Sequence, residues 1–566
     1  MANDDFLDEL SALDGEEAGP APPPSASQQQ EHGGIGDRWV YGPPGTGKTS
    51  FLARQIEFDA QQRGSDAVVA LSHTRAAAAE IALRRVPLPP ENVGTLHSLA
   101  FRALGRPKMV ETTECLREFG EAHPAFQMSE TYSVDDMEAL MPSKAHGDNS
   151  LSEYSRYRNL QVPREVWPTT LLNFAELWED FKQQNGGIDF TDMIELALTD
   201  TVAPEAKPEV MIVDEGQDLS RLQFRLLTKW ADSVDKFIMA FDPDQSIYGF
   251  AGADPTVFLE TEPSAKKVLA QSHRVPRAVH TIAMRWIRQT RRADVEYLPM
   301  EREGEVDWLE HQWRRPESML KMIEAELKRG KSIMVLTSCG YMLEPLIKLL
   351  RVEGFPFHNP YRRKQGAWNP MRKSRASVST HTRVAAYLAP WSEGSTGMWT
   401  SEQLMCWTAL LKGIFKRGGR DAMERALIGG ADEGAVLNAL IDNCADEATL
   451  VALIDGPPSG LDALGAHLKT DKVSAASFAI ACARNFGGEV LQRDPQLCVG
   501  TIHSVKGGEA DVVFLFPDIS PEGYQRYNAR SGGRDEVVRQ FYVGMTRAKE
   551  KLVLLAPSGP SVDWGA

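Results

Sequence analysis

The sequence predicts an α/β protein of two parallel-sheet domains, each interrupted by a largely helical insertion. Two observations carry that prediction. Short apolar runs bounded by turn residues alternate with helical stretches in two separate parts of the chain, the pattern of strands covered on both faces. Two long stretches, residues 111–180 and 361–496, are rich in Trp, Arg and Ala and read as mostly helical. A third observation bounds the answer: 566 residues are enough for several hydrophobic cores without a metal or disulfide staple.

Taken in order, residues 1–36 form an acidic, Pro/Gln-rich tail. It holds eight carboxylates and no Lys or Arg, a composition that cannot bury enough apolar surface to order itself. Phe6, Leu7, Leu10 and Leu13 fall at helical spacing within it, a candidate docking helix for a protein partner. Strand runs at 39–41, 67–71, 210–213 and 237–241, with helices at 49–63, 75–85 and 219–231, predict a first domain over 37–105 and 170–275, with 106–169 inserted. Strand runs at 333–336, 499–502, 512–516 and 552–555, with helices at 342–353 and near 537–545, predict a second over 276–360 and 497–566, with 361–496 inserted.

Composition excludes several classes. Hydrophobic residues make up 42% and charged residues 25%, an ordinary soluble balance. No run approaches the ~18 apolar residues of a membrane span, and the N-terminus lacks a signal-peptide pattern. Six cysteines without CxxC spacing argue for reduced thiols in a cytoplasmic setting. The net charge of −16 does not exclude nucleic acid, because half of it lies in the tail and screening confines a basic groove's field to ~8–10 Å.

Gly42-Pro43-Pro44-Gly45-Thr46-Gly47-Lys48-Thr49 follows a strand run and opens a helix, the context of a phosphate-binding loop. Its backbone N–H groups wrap phosphates, with Ser50 in the first helical turn. Lys48 reaches the β/γ-phosphates and the Thr49 hydroxyl can ligate Mg²⁺. Asp214 and Glu215 end an apolar run. At a parallel sheet's carboxyl edge they would stand beside that loop, Asp214 toward the metal and Glu215 toward the attacking water. The residues therefore read as a P-loop nucleoside triphosphatase using Mg²⁺.

Further blocks narrow this. Asp214-Glu215-Gly216-Gln217-Asp218 resembles the DExQD box of UvrD/Rep-like superfamily 1 DNA helicases, and the other blocks agree in order. Val93 to Ser98 is similar to G-T-x-H-S, and residues 189–193 to the segment preceding DExQD. Asp242 to Phe250 is similar to G-D-x-x-Q-S-I-Y-x-[FW], and Ser272-His273-Arg274 to the block ending Y-R. Gly500 to Glu509 is similar to T-x-H-x-x-K-G-x-E, and Tyr542 to Ala548 to Y-V-A-x-T-R-A. The resemblance implies two RecA-like domains and an enzyme that couples ATP hydrolysis to movement along single-stranded DNA and unwinding of tailed or forked duplex. It implies Lys48, Glu215, Gln245, Arg274 and Arg547 as catalytic residues, the two arginines as fingers on the transferring phosphoryl. It also implies Glu509 near the ribose, and Arg75, His97, Tyr248, Phe250 and His503 along the DNA. Polarity by resemblance is 3′→5′. The alternatives are a 5′→3′ enzyme, a translocase that remodels protein–DNA complexes without unwinding, and a DNA-binding protein switched by ATP. Only 19 residues follow Arg547, which sets a fused nuclease behind these.

Departures from the family pattern are specific. No L-N-x-x-Q segment precedes the loop, Phe241 and Ala251 replace Gly and Arg, and His73 replaces the Phe of T-F-T-N-K. Two basic clusters are candidate replacements for the DNA grip. One is Arg362, Arg363, Lys364, Arg372, Lys373 and Arg375 around Trp368; the other is Lys412, Lys416, Arg417 and Arg420.

Overall fold

A computed structural model describes residues 38–73, 86–129, 145–261, 265–362, 366–372, 378–392, 394–395, 397–428, 433–529 and 533–564. The tail and the helix expected at 75–85 lie outside the described residues. The chain divides into two compact units. Unit 1 runs to Arg274 and resumes over Ile287–Met300, and unit 2 comprises Val275–Trp286 and Glu301–Ala566.

Unit 1 is built on β1 (Arg38–Tyr41), β2 (Val68–Ser72), β3 (Val93–Thr95), β4 (Val210–Asp214), β5 (Lys236–Phe241) and β6 (Ala265–Val268). They form one sheet in the order β3-β2-β4-β5-β1-β6, with every neighbouring pair parallel. Successive side chains on a strand point to opposite faces, so the sheet feeds two cores. Val40, Val68, Ala70, Ile212 and Ile238 pack under Leu52 and Ile56 of helix α1 (Lys48–Arg63). Trp39, Val69, Met211 and Met239 pack on the other side, with Leu99 of α2 (Leu96–Ala103). A separate two-stranded ribbon pairs β7 (Gln271–Pro276) with β8 (Leu298–Met300).

The helical insertion comprises α3 (Thr113–Ala122), α4 (His146–Asn159) and, beyond the bound of 169 expected from the sequence, α5 (Thr169–Asn185), whose Phe174 and Trp178 pack into its core. Phe119, Tyr154, Trp167, Phe174 and Trp178 form its own aromatic core. Two helices return the chain to the sheet: α6 (Phe190–Asp200) and α7 (Arg221–Ala231). Reciprocal capping boxes open α2 (Thr95 with Ser98), α6 (Asp189 with Asp192) and α7 (Ser220 with Gln223). Each box satisfies two orphan N–H groups and fixes where its helix begins.

In unit 2, β9 (Glu305–Leu309), β10 (Ile333–Thr337), β11 (Leu497–Thr501), β12 (Ala510–Leu515) and β13 (Ala548–Leu555) form a second parallel sheet, ordered β11-β10-β12-β13-β9. The chain between β10 and β11 is mostly helical, from Thr380–Leu388 to Val473–Phe486. One apolar cluster joins Val335, Val499, Val512 and Phe514 of the sheet to Tyr387, Trp399 and Trp407 of the insertion. The helix expected at 342–353 is Glu344–Val352, preceded by a 3₁₀ turn at Gly340–Leu343, because Pro345 suits a first helical turn and no later position. All six cysteines are free thiols. Among the described residues no helix is long and apolar enough to cross a membrane.

Candidate active site

The phosphate loop hangs from the carboxyl end of β1, tied to the neighbouring strand by Gly42 N–H donating to Phe241 O (3.2 Å). Gly45 and Gly47 adopt left-handed backbone, φ 75° and 80°, which a side chain would disfavour. A Cβ on Gly42 would stand 2.2 Å from Lys48 Cγ, whereas nothing lies within 4 Å of one on Gly47. The loop is therefore crowded where Lys48 folds back and open at the helix start, where N–H groups face a ligand. Lys48 is buried and donates to Gly42 O at 2.6 Å.

Parallel register carries the chemistry to this point. β4 ends at Asp214, which accepts from the Thr49 hydroxyl (2.9 Å) and from Glu215 N–H (2.9 Å). Burial, then the neighbouring Glu215 charge, pushes the Asp214 carboxyl up to about 6. Glu215 sits at φ 56°, an uncommon conformation for a non-glycine residue that occurs at functional sites. Gln217 donates to the Glu215 carboxylate and accepts from Asp242 N–H (2.9 Å). Gln245 donates to Asp242 (2.7 Å). Glu215, Gln217, Asp242 and Gln245 thus form one continuous hydrogen-bonded chain across the sheet edge. Burial raises the Asp242 pKa.

Motif reading missed the residues that brace the loop from behind. β7 runs against it: Ser272 Oγ donates to Pro44 O (2.9 Å) and His273 N–H to Gly45 O (2.8 Å). Tyr297 OH adds a third bond, to Pro44 O (3.0 Å), and Arg292 pairs with Asp244 at 2.7 Å. Arg274 Cβ would lie 2.4 Å from a Cβ on Gly45, so the expected finger and the loop are packed together within unit 1. The Ser272-His273-Arg274 block signalled this segment but not its bonds to the loop, and Arg292 and Tyr297 lie outside any block.

Beyond Gln245 the chain reaches Tyr248, which is buried and stacked on the His73 ring (centroids 5.7 Å, 24°), with half-buried Phe250 edge-on to it. His97, in the first turn of α2, meets Phe190 edge-on at 5.9 Å. Arg75 lies outside the described residues. In unit 2, Arg547 is 1% exposed and donates to Val543 O (2.9 Å) and Gly508 O (3.1 Å). It stands at the amino ends of β12 and β13 beside Glu509, whose exposed carboxylate lies 3.8 Å from Lys549. His503 is buried just past the carboxyl end of β11, its Nδ1 3.3 Å from Gln540. Lys412, Lys416 and Arg417 are exposed and Arg420 half-buried. Trp368 belongs to the apolar core at 6% exposure, so it offers no stacking face. Arg363, Lys364, Lys373 and Arg375 lie outside the described residues.

These residues fit a nucleoside triphosphate with Mg²⁺. The donor set is the hard oxygens of Thr49 and Asp214, and no group of three or more ligating side chains occurs among the described residues. That suits an ion which keeps several waters and takes its remaining ligands from substrate phosphates.

Comparison with known proteins agrees. Residues 24–266 match the UvrD/REP helicase N-terminal domain and residues 496–555 the UvrD-like helicase C-terminal domain, together more than half the chain. The chain belongs to the UvrD/Rep-like helicase family. Its two sheets are accordingly RecA-like. Among curated relatives, it is 25% identical over 289 residues to the probable DNA helicase II homolog of Mycoplasma pneumoniae, covering 44% of this chain and 40% of that protein. It is 26% identical over 255 residues to the ATP-dependent DNA helicase PcrA of Bacillus subtilis, covering 40% and 34%. The PcrA of Staphylococcus aureus is 27% identical over 264 residues, covering 42% and 36%. The matches thus span two fifths or less of these relatives.

Proposed function

We propose that this chain is an ATP- and Mg²⁺-dependent DNA helicase that moves 3′→5′ along single-stranded DNA and unwinds tailed or forked duplex. The observation that carries the reading is the unbroken hydrogen-bonded run from Thr49, beside Lys48, through Asp214, Glu215, Gln217 and Asp242 to Gln245, which ends three residues before the His73–Tyr248 ring pair.

Mg²⁺ bound with ATP neutralises charge on the phosphate oxygens. The chain's own groups do the rest. Thr49 and Asp214 hold the metal side, and Lys48 leaves Gly42 O for the β/γ-phosphates. Glu215 orients and deprotonates the attacking water. Gln245 registers the γ-phosphate and passes its presence along the buried Tyr248 segment to half-buried Phe250, whose exposed edge offers the strand an aromatic surface that accepts any base. Arg274 and Arg547 act on charge that develops only in the transition state. Accordingly Arg547→Ala should lower kcat by about 10³-fold with KM for ATP nearly unchanged. A pure KM effect in steady-state phosphate release would remove Arg547 from that role. The polarity rests on the resemblance of the Thr501 to Glu509 block.

Strand displacement on 3′-tailed and 5′-tailed duplexes, with ATP, tests the whole reading. Unwinding from the 3′ tail alone is the expected result, and unwinding from the 5′ tail alone reverses the polarity. DNA-stimulated hydrolysis without displacement makes the chain a translocase that remodels protein–DNA complexes.

A further inference from the structure

The segment around Asp189 is unused by the mechanism, yet it anchors an ion cluster reaching from the insertion to the sheet domain. We propose that Arg158 and Asn159, consecutive residues at the carboxyl end of insertion helix α4, are positioning residues that keep the DNA-side groups in register with the nucleotide site. This rests on the DNA-dependent hydrolysis proposed above.

Arg158 acts on one side. Its guanidinium donates to Tyr154 OH (2.9 Å), Asp189 (3.2 Å), Asp192 (2.6 Å) and Glu195 (3.1 Å). Asp189 and Asp192 are the two halves of the box that starts α6. Phe190, between them, carries the edge-on contact to His97. Holding the box therefore holds the ring that backs a DNA-side histidine. Five donors in a planar fork let one arginine hold three carboxylates and a tyrosine hydroxyl at once, one partner more than the three donors of a lysine could reach.

Asn159 acts on the other side. Its Oδ1 accepts from Ser220 Oγ at 2.9 Å, and Ser220 caps α7 two residues after Asp218. Its Cβ lies 2.9 Å from where a Cβ on Gly252 would stand, with Gly252 at φ 94°. There the two site segments are laced together. Asp254 N–H donates to Leu219 O (3.1 Å), Ser220 and Ala253 form an antiparallel bridge, and Ala253 N–H donates to Tyr248 O (3.1 Å). The stretch after Glu215 and the stretch after Gln245 thus meet on the Asn159 side chain. A displacement of α4 must move His97's support and the Tyr248 segment together, because consecutive residues of one helix turn hold both.

The test compares basal and single-strand-stimulated ATP hydrolysis of the full chain, using a dT oligonucleotide, for wild type, Asn159→Ala, Asn159→Asp and Arg158→Met. Neither residue touches the nucleotide site, so basal kcat and KM for ATP should stay at wild-type values. Stimulation should fall about 3- to 30-fold in Asn159→Ala, the range of mutations that alter coupling between sites. Asn159→Asp keeps the acceptor for Ser220 and should restore it. Arg158→Met breaks a buried ion cluster and tests the same point only if thermal melting shows it folded; Asn159→Ala, at a half-buried position, decides by itself. Wild-type stimulation in Asn159→Ala, or an equal fall of basal and stimulated rates, overturns the proposal alone. Hydrolysis by the wild type that ignores DNA overturns the functional reading and the proposal with it.

Discussion

Unit 1 buries two groups of carboxylates, and they are treated in opposite ways. At the sheet edge, among the described residues, Asp214 and Asp242 accept hydrogen bonds from a hydroxyl, an amide side chain and backbone N–H groups, and burial outweighs the nearby Lys48 charge to shift both up. At the insertion junction, burial alone would raise Asp189, yet the charges of Arg158 and Lys182 hold it below its usual range. Lys182 Nζ lies 2.6 Å from both Asp189 and Asp192. The difference separates the proposed nucleotide site from a structural ion cluster. Acids ion-paired to their own cations are finished as they stand, whereas acids hydrogen-bonded by neutral groups, with Lys48 nearby but not paired to them, stay raised and can take up a metal–nucleotide complex.

The sharpest way to break that comparison is Lys48→Ala. Removing the one lysine of the phosphate loop should cut ATP hydrolysis by about 10³-fold or more while DNA retention on a filter stays largely intact; undiminished turnover would unseat the nucleotide site. Next is Lys182→Met. Stripping a cation from a buried cluster leaves an uncompensated charge, so urea unfolding should show a loss of about 3–5 kcal/mol.

Glu111→Gln sharpens the same contrast through pH. Burial, then the Asp189 charge, pushes Glu111 up to about 8 from 4.5, while it accepts from Phe190 N–H at 2.9 Å. A carboxyl raised in the folded state costs stability as pH climbs from its unfolded value through its folded one. The glutamine keeps the acceptor and escapes that cost. Its unfolding free energy in urea should therefore exceed that of wild type by a margin that widens between pH 5 and 8 and then levels, reaching a few kcal/mol. A margin independent of pH would mean Glu111 is ionised throughout. Smallest is Arg117→Ala on the exposed Arg117–Glu121 pair, expected within about 0.5 kcal/mol of wild type by the same urea assay.

What was legible in the sequence follows from the same physics. Contiguous motifs were readable because one strand end and one loop carry them, so Lys48, Thr49, Asp214 and Gln245 fall where sequence spacing puts them. Central strands were readable because both faces are apolar. β6 and β9 were not: β6 is exposed along its whole length, and β9 faces Lys551 of β13 with Glu305 and Asp307, so neither shows an apolar run. The first half of β13, Ala-Lys-Glu-Lys, was hidden for the same reason. The ion junction was illegible because its partners are brought together by helix packing, Arg158 and Lys182 coming from α4 and α5 and the acids from α6. Trp368 misled, since an aromatic among basic residues reads as a platform until burial is known.

The order of strands in unit 2 also sets a schedule for its synthesis. β10 pairs only with β11 and β12, and β9 only with β13. Both early strands therefore emerge without partners, and β10 waits from Thr337 to Leu497, about 160 residues, or roughly 10–30 s at ordinary elongation rates. During that interval Ile333, Met334, Val335 and Leu336 form an apolar edge with nothing beside it. A ribosome stalled anywhere in the insertion therefore releases a product that lacks β11, β12 and β13 and whose second sheet cannot close.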